Sequence, residues 1–178
     1  GSLTGHLPNQ PPAGKLEYMV TISAGEEEYN ISNGERAIVT RFKGVVPAWV
    51  LLPHVLFMFV GMLFSTRTGL EAIFKRDNLK RLIITTFTLL FIGGMILGPV
   101  VQKLAFGALW TGIPWGWDLT DNKTLLFMIA WGWALWAVVK GKNARGPALI
   151  ASIATMLVYL IPHSVMGSEI DYNAEGML

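Results

Sequence analysis

The chain has 178 residues, 52% of them hydrophobic, with seven tryptophans, no cysteine and a formal net charge of +2. So apolar a composition excludes an ordinary soluble domain, and the small net charge gives no footing for nucleic acid. The absence of cysteine excludes disulfides, thiolate metal sites, thiolate nucleophiles and covalent c-type haem attachment through this chain.

Residues 1–44 are polar and show no signal-peptide pattern, and they are expected to form an extracytoplasmic β arm. Leu16–Ile22 and residues 36–42 alternate apolar and polar side chains, as two strands of a half-buried antiparallel sheet would. The run from Leu7 to Tyr18 resembles the stretch leading into the late strands of immunoglobulin-like and fibronectin-III-like sandwiches. A two-stranded hairpin is marginal alone, so the arm is expected either to end a larger domain or to complete a sheet in a partner.

Four stretches then carry no Asp, Glu, Lys or Arg: Val45–Thr66, Leu82–Val101, Thr124–Val139 and residues 146–168. In about 30 Å of hydrocarbon a continuous helix of roughly twenty residues satisfies its own backbone, so each stretch reads as a span. The fold expected is all-α, a four-transmembrane-helix bundle over residues 45–168 with a small N-terminal β segment. Its spans cover about 45–66, 82–104, 122–140 and 146–166. The short third span is extended by Lys123 and Lys140, whose stems reach the interface while their ammonium groups stay wet.

Arg67, Lys75, Arg76, Lys80 and Arg81 lie between the first two spans, and Lys140, Lys142 and Arg145 between the last two. The positive-inside bias therefore puts both loops in the cytoplasm, in an inner (cytoplasmic) membrane. The arm, the loop 102–123 and an acidic tail over 169–178 lie outside. The segment 67–81 is amphipathic and either extends the helices or lies on anionic lipid.

The outer loop reads Trp110-Thr111-Gly112-Ile113-Pro114-Trp115-Gly116-Trp117-Asp118, with a second acid at Asp121. Asp118 and Asp121 precede the third span, where carboxylates can cap a helix N-terminus; Asp121 reads as such a cap, whereas Asp118, at the end of an aromatic cluster too large for capping to explain, is open to a role in a site. The tryptophans either form an interfacial belt or shape a site. His54, preceded by Pro53, and His163, preceded by Pro162, are the histidines of the apolar stretches, and an imidazole is costly in lipid without a partner or ligand. At 1.5 Å per residue, His54 lies about 13 Å below the outer edge of its span and His163 about 6 Å below it.

Trp110 followed by Trp115-Gly116-Trp117-Asp118, with a histidine in the span on either side, resembles the WWD motif of the haem-handling proteins of cytochrome c maturation. The resemblance covers residues 47–168. It departs from the family at Leu119-Thr120 and in having four spans where six or more are usual. It implies a non-covalent b-type haem ligated by His54 and His163 and covered by Trp110, Trp115, Trp117 and Asp118. Arg41 and Lys43, just outside the first span, would meet its propionates. The function expected is haem handling for cytochrome assembly, or electron transfer to a periplasmic partner. The alternative is a non-catalytic anchor or small subunit, whose histidines merely bond helix carbonyls.

Other signals concern packing. Gly94 and Gly98 share a Gly-x-x-x-Gly spacing that lets a helix approach within the chain or between chains. The eight methionines are too scattered for a copper site, although Met166 offers an alternative axial ligand. No carboxylate pair, nucleophile elbow or phosphate loop marks a hydrolase.

Overall fold

A computed structural model describes residues 4–25, 27–30, 37–74 and 77–161. Among these the order is β1 (Lys15–Tyr18), β2 (Thr21–Ala24), β3 (Glu27–Asn30), β4 (Ile38–Arg41), α1 (Ala48–Ile73), α2 (Leu79–Leu90), a π-helical segment (Phe91–Leu97), α3 (Gly98–Phe106), α4 (Leu119–Val139) and α5 (Arg145–Leu160). The described residues divide into two compact units, one built on residues up to Val45 with Ala105–Gly107 and the other on Val46–Leu104 and residues 108–161.

In the first unit the expected single pair of strands is two pairs. β1 is antiparallel to β4, with Lys15 opposite Arg41, and β2 is antiparallel to β3, with Thr21 opposite Asn30. β2 therefore takes the end of what reads as one strand, Leu16–Ile22, and pairs it with a segment that reads as a loop. β3 escapes detection because all four of its residues are exposed, so no alternation of polarity marks it. Its ladder is closed by a tight turn in which Gly25 takes φ +71°, the left-handed conformation that hairpin turns favour.

In the second unit three helical rods are long and apolar enough to cross a membrane: α1, the rod Leu79–Phe106 made of α2, the π segment and α3, and α4. The fourth, α5, has 16 described residues, and the end of the span expected over 146–166 falls outside the described part. The amphipathic segment after the first span extends the helices: α1 runs on to Ile73 and α2 starts at Leu79. Glu71 closes that turn. Only 2% exposed, its carboxylate accepts from the Asn78 N–H at 3.1 Å and lies 3.7 Å from Arg67.

α1 packs against α2, the π segment and α5, while α4 packs against α5 and α2. Trp131, Phe127, Ile83 and Leu90 fill the core, and Ala134, Ala137, Ala144, Ala148 and Ala151 let α4 and α5 approach closely. A Cβ on Gly61 would sit 2.7 Å from Leu90, and one on Gly69 2.4 Å from the Ser152 hydroxyl. Polar side chains tie the same contacts together. Thr68 and Thr86 share a hydrogen bond of 2.9 Å, Ser152 donates to Ser65 O at 2.9 Å, Trp131 Nε1 to Thr155 Oγ1 at 2.8 Å, and Tyr159 OH to Met58 O at 2.8 Å. The outward faces are apolar instead, with Leu52, Leu56, Phe59 and Leu63 of α1 and Leu126, Ile129 and Val139 of α4 exposed. So continuous an apolar surface suits lipid rather than water.

Candidate functional site

His54 lies one residue after the proline of α1 and is half-buried against the π segment. Its Nδ1 bonds the Gly93 carbonyl at 2.9 Å. A carbonyl only accepts, so Nδ1 carries the proton and, in the neutral ring, Nε2 keeps its lone pair. The same carbonyl accepts the Gly98 N–H in the i to i+5 bond of the π turn. Gly93 is what permits the approach: a Cβ there would lie 3.0 Å from Met58 Sδ and from Phe57 Cβ. Two adjacent glycines of low helix propensity make the wider turn accessible, and such turns recur where helices serve a site. Gly94 faces α4, where a Cβ would meet Thr124 at 2.9 Å, so this glycine pair packs within the chain.

The tryptophan loop is a folded unit organised by Asp121. Its Oδ2 accepts from the Thr111 N–H at 2.5 Å, the Thr111 hydroxyl at 3.2 Å and Gln102 Nε2 at 3.1 Å, while Gln102 also donates to Thr111 Oγ1 at 2.7 Å. Asn122 accepts the Ile113 N–H at 2.7 Å, and Trp110 Nε1 donates to Ile113 O at 3.1 Å. The loop closes tightly on itself. A Cβ on Gly112 would lie 2.6 Å from Asp121 Cβ, and one on Gly116 2.4 Å from Thr111 O.

The roles expected of the two carboxylates are therefore exchanged, because the backbone enters α4 at Leu119 and leaves Asp121 inside the first turn, turned toward the loop. Asp118 is the N-cap of α4, its Oδ1 accepting from Thr120 N at 2.8 Å and Asp121 N at 3.0 Å, whereas Asp121 holds the loop. Trp110 belongs to that framework, but Trp115 and Trp117 project from it, 81% and 85% exposed. Lys123 differs from the expected snorkelling residue. It is 6% exposed, and its ammonium donates to Ile161 O at 3.1 Å at the end of α5. The carbonyls at a helix C-terminus lack intrahelical donors, which makes them partners for a cation that packing keeps from water.

His163, Pro162 and Met166 lie outside the described residues, as does the tail 169–178. Arg41, in β4, and Lys43 belong to the first unit, whereas His54 and the tryptophan loop belong to the second. Among the described residues no group of three His, Cys, Asp or Glu side chains is arranged to hold a metal ion. Gln102, Thr111, Asn122 and Gly93 were not legible as site residues, because single polar residues and glycines carry no spacing signal until the fold brings them together. Compared with protein-family models, curated proteins and solved structures, the chain matches none.

Proposed function

We propose that this chain is an integral membrane protein that crosses the bilayer four times, holds the tryptophan loop outside, and ligates a haem through His54. The observation that carries the reading is the anchored imidazole. Nδ1 is bonded to Gly93 O at 2.9 Å, which fixes the ring and its tautomer and leaves Nε2 as the basic nitrogen. Metal-ligating histidines are oriented in this way, by a second-nitrogen bond to a backbone carbonyl. His163 is the second ligand in this proposal, and the resemblance to the WWD proteins supplies the haem.

A bound haem would supply one-electron chemistry, or would be the cargo delivered to a cytochrome. The chain's own contribution is to orient one ligand, to surround it with apolar side chains and to hold Trp115 and Trp117 at the outer interface, where indoles favour lying.

The test is the absorption spectrum of the detergent-purified protein. A Soret band that disappears in both His54→Ala and His163→Ala supports haem ligation. A colourless protein that takes up no added haemin sinks it. The second reading is a non-catalytic membrane anchor or small subunit with protein partners outside, and it is favoured by the same hydrogen bond, since Gly93 O satisfies the imidazole N–H of a structural histidine with no metal needed. Stoichiometric copurification of a colourless chain with other subunits would support it.

A further inference from the structure

We infer that the end of the helical unit formed by the last turn of α1, the first turn of α2, the last turn of α4 and the first turn of α5 binds the head groups of anionic phospholipids. These four ends meet in one place. Glu71 of α1 bonds the Asn78 N–H ahead of α2, the Lys142 N–H bonds Ala137 O across the turn between α4 and α5, and the two helix pairs pack on each other, α1 against α5 with Gly69 on Ser152 and α2 against α4.

Cations crowd this end. Lys80, Arg81, Lys140 and Lys142 are exposed, and the Arg67 side chain is 58% exposed. Of the acids described there, Glu71 is buried and engaged by Asn78 and Arg67, so Asp77 is the one that faces solvent among them.

Charge alone would suit an acidic protein equally well. What favours lipid is that exposed apolar side chains stand directly beside the cations: Leu70, Ile73 and Phe74 on α1 and Val139 on α4. Arg67, Leu70, Glu71 and Phe74 line a cleft of about 140 Å³. Across the end, Lys142 Nζ lies 4.4 Å above the ring of the half-exposed Trp136. A ligand that satisfies both components carries an anionic head and an acyl chain, and basic patches at the ends of spanning helices recognise such lipids.

This rests on the bilayer-spanning reading but not on haem. Full-length protein in detergent is titrated with phosphatidylglycerol, with phosphatidylcholine and with inorganic phosphate, and retained ligand is counted by native mass spectrometry. Phosphatidylglycerol is expected to be retained, and the other two are not. Lys80→Gln with Arg81→Gln weakens that retention about fivefold per charge removed. Lys103→Gln, at an exposed residue in the last turn of α3, leaves it unchanged. Both substituted residues of the double variant are exposed, and an unchanged melting temperature verifies its fold. Equal retention of the two lipids, or a double variant that binds phosphatidylglycerol like the parent, overturns the lipid site alone. A chain that is monodisperse without detergent overturns the spanning reading and the lipid site together.

Discussion

His54 shows how much one hydrogen bond decides at the scale of a residue. The bond to Gly93 fixes which nitrogen carries the proton, and the helices approach closely there because Gly93 has no Cβ to press on Phe57 and Met58. The glycines differ sharply in this respect. At Gly112 an added methyl meets Asp121 Cβ at 2.6 Å, whereas at Gly132 nothing lies within 4 Å. Gly112→Ala is therefore expected to cost about 1–3 kcal/mol through overpacking of the loop, and Gly132→Ala to stay within about 0.5 kcal/mol of the parent. Thermal unfolding in detergent checks the pair, and equal melting temperatures for the two variants would contradict the loop packing. In the β arm, a hydrogen bond from the Tyr29 hydroxyl to Glu27 raises the phenol above its ordinary range, with a smaller contribution from burial. A raised phenol binds its proton more tightly in the folded arm. Its contribution to the β2–β3 hairpin is thus complete below the unfolded tyrosine pKa and is lost as pH rises through the higher folded value. Tyrosinate absorbance, compared with Tyr29→Phe, reports the displacement, and a Tyr29 component titrating at or below the ordinary range would refute it.

The elements are legible in proportion to how strongly their environment selects composition. The apolar rods declare themselves because a helix with lipid along one side and packed helices along the other must be apolar nearly all round. β3 stays hidden because exposed strands leave no such trace. The start of α4 is intermediate: its sequence shows that a carboxylate caps it but points to Asp121, and the backbone path assigns the cap to Asp118 and the loop to Asp121. Asp118→Ala is accordingly expected to cost about 1 kcal/mol and Asp118→Asn only a few tenths, since the amide oxygen can still accept from Thr120 and Asp121. Indistinguishable unfolding of the two variants would argue against the cap.

The arrangement of the whole molecule in a bilayer follows from the proposal that the basic turns face the cytoplasm. Because the chain has no cysteine, single cysteines report on it without a background. Lys142→Cys in inverted inner-membrane vesicles is expected to react with an impermeant maleimide, and Trp115→Cys only in right-side-out ones. The reverse pattern would invert the topology and move the tryptophan loop into the cytoplasm.

The sequence by itself determined the apolar rods, the aromatic loop between them and the histidine placed within the first, because hydrocarbon tolerates few alternatives and each exception stands out. Only the tertiary structure decided that the Glu27–Asn30 stretch is a strand, that Lys123 is buried beneath the end of α5, and that His54 leans on a glycine carbonyl. Those outcomes depend on which backbone groups lack a partner after the helices pack, and a residue's type does not record that.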